Sequence, residues 1–301
     1  GGILEHIEEA GIHSGDSATC IPPFSFSESL QAKLRETTRR IAMALGVRGL
    51  VNVQYAIKGE TVYVIEANPR ASRTVPFISK ATGVPLAKCA ARIMAGDSIA
   101  SLGLPSDERQ LDWFCMKEAV MPWGRFPGAD VILGPEMKST GEVMGIGGDF
   151  PSAYAKTQLA IDYSLPKSGK VFISVCDREK RNIVPIAHAL QDLGFQIVST
   201  GGTGRLLKAN GLKVEITRKM QEQRPNIGDL IANGEIDLLI NIPFGQETRG
   251  DSYHLRSAAV RYGICYVTTL AGANAMAQAI SAVQEGRLEP VALQDLPQKD
   301  M

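Results

Sequence analysis

Apolar and polar positions along this chain change rhythm near its middle. From Ser27 to Leu45 apolar residues recur at helical spacing (Leu30, Leu34, Ile41, Leu45), and Ser27 stands where it can cap the helix. Val51, Val53, Tyr55 and Ile57 then alternate with smaller or polar residues, which is the period of a strand. Lys58-Gly59-Glu60 reads as a turn into a second strand, Thr61–Glu66, so the pair predicts an antiparallel hairpin. Asn68-Pro69-Arg70 ends it, because Pro69 cannot continue a central ladder. The stretch from Thr74 to Gly96 is rich in small residues, with a helix predicted at Leu86–Met94. Residues 97–110 read as a surface loop, Met116–Gly147 as Gly- and Pro-bearing chain with short apolar runs, and Phe150–Leu159 as a helix.

Tyr163–Lys170 is polar, with Pro and Gly, and marks a linker between residues 1–162 and 171–301. Beyond it strand and helix alternate. Strands are predicted at Val171–Val175, Phe195–Ser199, Lys213–Ile216, Asp237–Ile242 and Cys265–Thr268. Helices are predicted after Ile183 (with Ile186, Leu190 and Leu193 on one face) and at Gly204–Ala209, Asn226–Asn233, His254–Tyr262 and Ala273–Glu285. That alternation predicts a parallel sheet covered by helices, and Pro290–Met301 reads as a loose tail. The fold class is therefore α/β.

Composition adds exclusions. Lys plus Arg and Asp plus Glu each number 32 in 301 residues, which argues against a nucleic-acid binder or a binder of acidic membranes. No apolar run is long enough for a transmembrane helix. The five cysteines never form a C-x-x-C pair, so reduced thiols in a cytoplasmic protein are expected. The chain opens Gly1-Gly2-Ile3 without an initiator Met, as a piece of something longer would.

Two regions carry candidate chemistry. Glu66 and Asn68, two apart on a strand, share a face, and Gln54 falls opposite Glu66 to within a residue. One carboxylate and two amides would converge there as hard oxygen donors of the kind that hold Mg²⁺ beside phosphates, with Arg70 and Arg73 following. The same spacing equally describes solvent-facing polar residues on an ordinary hairpin. In the second half, Phe195–Ser199 runs into Thr200-Gly201-Gly202-Thr203-Gly204. Backbone N–H groups at such a turn favour a phosphate, although a plain tight turn has the same composition. Lys180, Lys219 and Asn241 follow other strands, and in a parallel sheet they could gather with Thr200 and Thr203 at one edge.

The segments Asn52–Gln54 and Val64–Phe77, Ser79–Ala87, Glu5–Ser17 and Leu133–Gly145 together resemble the large subunit of carbamoyl-phosphate synthetases, in its C-terminal half. The resemblance implies a partial ATP-grasp domain (an antiparallel hairpin and sheet with helices) over 1–162. It implies a methylglyoxal-synthase-like, Rossmann-type allosteric domain over 171–301. By the same resemblance Gln54, Glu66 and Asn68 hold Mg²⁺ or Mn²⁺. Gly11, Ile12, His13 and Ser14 line the ATP site with Gln54 and Glu66, and Arg73 and Arg70 neutralise charge on the phosphoryl group. His13 by itself could as well be a plain surface or core histidine. Lys180, Thr200, Thr203, Lys219 and Asn241 take a regulatory nucleotide such as UMP or IMP. Glu8, Asp16, Glu118, Tyr266 and Thr268 take the activator ornithine.

The implied activity is ATP-dependent phosphorylation of carbamate to carbamoyl phosphate, serving arginine and pyrimidine synthesis. The implied partners are the rest of the large subunit and a glutaminase small subunit, in an oligomer. The lid-bearing part of the ATP site would lie upstream of Gly1. Pro243 stands where nucleotide-binding bacterial members have threonine, and Phe244–Asp251 also departs from their pattern, so the effector is left open. Two other readings stand beside this one. The chain could act alone as a nucleotide-sensing module. A lyase of the methylglyoxal synthase type is disfavoured, because Pro243–Asp251 lacks the look of that enzyme's aspartate-bearing loop.

Overall fold

The computed structural model describes residues 1–104, 108–126 and 128–296. The end of the expected tail (297–301) and the middle of the expected loop (105–107) lie outside the described residues, as do the side chains of 245–251.

The first half is built on a four-stranded antiparallel sheet of order β1-β2-β5-β6 (Glu5–His6, Thr19–Ile21, Phe114–Val120, Gly141–Gly147). A separate two-stranded ribbon, β3 (Asn52–Lys58) with β4 (Thr61–Asn68), stands beside α1 (Glu28–Ala44). Ser27 caps α1 as the sequence predicts, its hydroxyl accepting from the Leu30 N–H. Helices α2 (Thr74–Thr82) and α3 (Leu86–Met94) pack on one another, and α4 (Phe150–Ala160) closes the unit.

Four strands and one helix here go beyond the sequence pattern. β1 and β2 are two and three residues long, too short for any period to register. The Gly-bearing run expected to be irregular is β6, and its glycines are there for packing. A Cβ on Gly145 would collide with the Ala153 carbonyl oxygen and stand 2.8 Å from Thr157 Cγ2. One on Gly147 would meet Ser152 Oγ and, at 2.6 Å, Ala153 N. α2 hides behind threonines and Pro76, which its first turn tolerates, and it ends on Gly83 at φ +71°.

The second half is a five-stranded, wholly parallel sheet of order β11-β10-β7-β8-β9. In chain order its elements are β7 (Gly169–Val175), α5 (Ile183–Asp192), β8 (Phe195–Thr200), α6 (Gly201–Ala209), β9 (Val214–Thr217) and α7 (Ile227–Ala232). Then come β10 (Leu238–Ile242), α8 (Gly245–Arg261), β11 (Cys265–Val267) and α9 (Leu270–Gln284). Three helices begin earlier than their apolar pattern. α6 starts within the glycines of the phosphate-favouring turn, α8 nine residues before His254, and α9 at Leu270 behind the Thr269 cap.

The halves share one core. A single apolar cluster joins Ile7, Met116, Phe150 and Tyr154 to Val171, Ile240, Ala273 and Ile280, and α4 packs against α9. The segment 163–170 is stitched into this core. Leu165 is buried, Tyr163 meets Tyr266 edge-on at 6.1 Å, and the Ser164 carbonyl accepts from Cys265 Sγ. Because no space exists between β6 and α4 for even a methyl group, Gly145→Ala is expected to lower stability by about 1–3 kcal/mol. Denaturant unfolding reads this as a fall in midpoint at unchanged slope.

Candidate functional site

Three cavities concentrate the polar chemistry of the chain. The first, about 660 Å³, lies beside the ribbon and is lined by Ser14, Gln54, Arg70 and Ser72 among others. Ladder pairing puts Gln54 directly opposite Glu66 and Asn52 opposite Asn68, so these side chains share one face. Asn68 Nδ2 donates to Glu66 Oε1 at 2.7 Å, and Gln54 Nε2 donates to the Ile12 carbonyl at 3.4 Å. The second contact ties the ribbon to the Gly11–Ser14 turn, where Gly11 takes φ +98°, a conformation that favours glycine. His13 is held by its own turn, with Nδ1 accepting from the Gly15 N–H at 3.0 Å and its backbone N–H donating to Gly134 O. Arg73 donates through Nη1 to Ser139 Oγ at 2.8 Å and through Nη2 to Ser139 O. Arg70 stays exposed, donating to its neighbour's carbonyl.

Among the described residues no group of three His, Cys, Asp or Glu is placed to hold a metal ion. One carboxylate and two amides fit a divalent cation only if other oxygens, such as those of a phosphate chain, complete the shell.

The second cavity, about 430 Å³, opens at the C-terminal edge of the parallel sheet, where ligands collect in such folds. Lys180, Thr200, Thr203, Lys219 and Asn241 all line it, so the five positions singled out from sequence converge. Thr200 is the N-cap residue of α6, and the helix's first N–H groups point the same way. Lys180 Nζ pairs with Asp177 at 2.6 Å. Pro243 lines the wall without contributing a hydroxyl. Arg178, which the sequence did not flag, lies 4.3 Å over the Phe244 ring and 3.9 Å from Glu9 of the first half.

The third cavity, about 320 Å³, sits in the seam between the halves and gathers Glu8, Asp16, Glu118, Tyr266 and Thr268. Asp16 spends both carboxylate oxygens inside the protein, accepting from the N–H groups of Lys138 (2.7 Å) and Ser139 (2.9 Å). It is a brace for that segment. Glu8 accepts from the Ala18 N–H at 2.6 Å, and Glu118 from Gln158 Nε2 at 3.0 Å. Loss of water and the neighbouring Glu118 charge push the Glu8 carboxyl up to about 8, while burial lifts Glu118 to about 7. Beside them Lys117 is buried, donating to Ser17 O at 2.7 Å and Ser14 O at 3.2 Å; burial draws its ammonium down.

A buried ion pair also went unseen in the sequence. Arg256 on α8 is wholly buried and forms a two-pronged ion pair with Asp130. Burial alone would raise the Asp130 carboxyl, but the Arg256 hydrogen bonds and charge outweigh it and hold the group low. Spacing offers no signal for a pair 126 residues apart.

Residues 4–102 match the family model described as carbamoyl-phosphate synthase L chain, ATP binding domain, and residues 182–268 match that of the MGS-like domain. The carbamoyl phosphate synthase large chain of Methanosphaerula palustris is 52% identical over 97% of this chain and 28% of its own length. That of Archaeoglobus fulgidus is 50% identical over 98% of this chain and 27% of its own. The carbamoyl phosphate synthase large chain, C-terminal section, of Aquifex aeolicus is 47% identical over 95% of this chain and 56% of its own. The chain thus spans little more than a quarter of the full-length relatives. No helix among the described residues is long and apolar enough to cross a membrane.

The seam carboxylates fix a pH dependence. Folding raises Glu8 from an ordinary 4.5 to about 8, so between pH 6.5 and 8 the folded state keeps a proton that the unfolded chain has released. Stability therefore falls as pH rises through that window. His6, lowered by burial from 6.5 to about 4, costs stability only as pH falls below 6.5. Glu8→Gln keeps an oxygen for the Ala18 N–H and is expected to flatten the decline between pH 6.5 and 8 in denaturant titrations. An unchanged decline would assign it elsewhere.

Proposed function

We propose that this chain, a member of the carbamoyl phosphate synthase large-chain family, carries one side of an ATP site together with a regulatory unit. On this reading the whole enzyme is an ATP-dependent carbon–nitrogen ligase. It phosphorylates carbamate to carbamoyl phosphate for arginine and pyrimidine synthesis, drawing ammonia from a glutaminase partner. The observation that carries the reading is the register of the ribbon, which sets Gln54 against Glu66 with Asn68 on the same face.

Gln54, Glu66 and Asn68 would hold Mg²⁺ or Mn²⁺ together with the phosphate chain, and the cation would neutralise charge on the phosphate oxygens. The protein's own part is positioning. The Gln54–Ile12 contact fixes the Gly11–Ser14 turn against the metal-binding face. Ser139 aims the Arg73 guanidinium, a planar donor suited to phosphoryl oxygens. Lys180, Lys219, Thr200, Thr203 and Asn241 form the pocket for a nucleoside monophosphate such as UMP or IMP. Glu8, Glu118, Tyr266 and Thr268 form a carboxyl-lined pocket for an amino-acid activator such as ornithine, with Asp16 bracing its wall.

A second reading has its own support. The nucleotide pocket is built entirely from this chain, whereas the ribbon leaves Glu66 exposed. The chain by itself would then behave as a sensing module.

Two measurements test these readings. Calorimetry with UMP should show binding that Lys180→Ala or Lys219→Ala weakens about tenfold or more, since each removes a charge-assisted contact. Absence of heat with both UMP and IMP in folded protein would refute the nucleotide pocket. Joined to the remainder of a large chain, this segment should support carbamoyl phosphate synthesis that Glu66→Ala lowers about 100-fold. The isolated chain should show no turnover above its own Glu66→Ala control.

A further inference from the structure

The nucleotide pocket described above is braced from the other half of the molecule. Asn241, next to last in β10, is buried at the pocket wall. Its Oδ1 accepts from Arg256 Nη1 at 3.1 Å. A guanidinium has only donors, so the amide atom facing it must be the oxygen. The NH₂ group is thereby turned the other way, toward Ser174 O at 3.5 Å and Ser252 Oγ at 3.4 Å, both long contacts to residues of the same pocket. Those long contacts leave Nδ2 as a donor that a ligand oxygen can take over. Were Arg256 displaced, the amide could turn over and offer an acceptor, which a phosphate repels.

Arg256 has none of its surface in water, so its charge needs a fixed counterion. Asp130 supplies it, with Oδ1 2.8 Å from Nε and Oδ2 2.5 Å from Nη2. Asp130 belongs to the first half and sits on a stretch anchored there. Its carbonyl accepts from Lys138 Nζ, the Lys138 and Ser139 amides are bound by Asp16, and Ser139 holds Arg73.

We propose that Asp130 and Arg256 are positioning residues for the nucleotide pocket: their ion pair, which crosses from one half to the other, fixes the Asn241 amide as a donor to the ligand's phosphate. The same connection gives the first half a say in nucleotide affinity and, by reciprocity, lets a bound nucleotide act on the segment that holds Arg73. The inference rests on the reading of this cavity as a nucleoside monophosphate site.

The test uses the 301-residue chain, UMP as probe, calorimetry for affinity, and the side-chain NH₂ resonances of Asn241 in a ¹⁵N-labelled sample. In the wild type, UMP should shift those resonances. Asp130→Asn keeps the side chain's shape and removes the counterion; it should weaken UMP about tenfold and abolish the shift. Asn241→Asp pairs with Arg256 while presenting an anion to the phosphate. It should hold or raise the melting temperature yet lose UMP binding, a combination that a purely structural role would not produce. If Asp130→Asn does not fold, Asp130→Glu retains the charge but pushes the guanidinium out of place, and it should show the same loss in milder form. UMP affinity and Asn241 shifts equal to wild type in a folded Asp130 variant would overturn the proposal. No UMP binding in the wild type would instead overturn the nucleotide-site reading on which it rests.

Discussion

The organisation of this molecule depends on burying one helix on nearly every side. Seven of the eleven residues of α4 are buried, including Ser152, Thr157 and Gln158. The helix lies between the antiparallel sheet of the first half and α9 of the second. Small residues let it approach: Ala153 and Ala155 are without exposed surface, and Gly145 and Gly147 clear its path on the β6 side. At its N-terminus Phe150 stacks on Tyr154 at 6.1 Å and packs tilted against Phe24 at 4.4 Å. Its polar residues are satisfied internally, Thr157 against the Tyr154 carbonyl and Gln158 against Glu118, as burial requires. A helix so enclosed cannot leave one half without leaving the other, and the seam cavity exists because α4 holds the halves together.

That seam carries an electrostatic cost. Two carboxylates and a lysine that the fold brings close together are taken out of water. The backbone and Gln158 compensate Glu118 only in part, and its carboxyl and that of Glu8 stay biased toward the protonated form. A cationic ligand entering there would relieve the repulsion between them. The cavity at the edge of the parallel sheet has the opposite character, with two lysines and the start of α6 facing the space. A chain with balanced totals of charge thus segregates its titratable groups, with carboxyls at the seam cavity and lysines at the sheet-edge cavity.

How far the sequence foretold this varies with the kind of signal. The parallel half was readable because each strand is apolar and each connection helical, so two periods alternate cleanly. The ribbon was readable because its turn fixes the register. Strands β5 and β6 were not, since β6 owes its glycines to contact with α4, which lies outside any local window. The stretch 163–170 reads as a linker by composition, yet Tyr163 and Leu165 are packed because of partners a hundred residues away. Among the site residues, convergence at the sheet edge follows from topology. Asp16 is different: the resemblance implied an ornithine ligand, and only the fold shows both oxygens engaged by backbone amides. Arg256 in sequence is one more arginine on a helix.

The ribbon is the part of the structure least explained by its own packing. Two-stranded ribbons are marginal by themselves, and this one is moored by few contacts: Tyr55 to Thr38 on α1 at 2.7 Å, Lys33 to the Glu60 carbonyl, and Gln54 to Ile12. On β4, Tyr63, Val64 and Ile65 are 53, 50 and 46% exposed, side by side with Glu66. Exposed apolar residues on both faces of a strand are the mark of a surface meant to be covered. Nothing among the described residues covers them, while the central strands β7 and β10 of the parallel sheet have their apolar side chains packed. These apolar residues and Glu66 belong to the same strand, so a partner surface that buried Tyr63, Val64 and Ile65 would also lie against the Gln54–Glu66–Asn68 side chains. On the proposed reading, covering the strand and closing the ATP site would be one event.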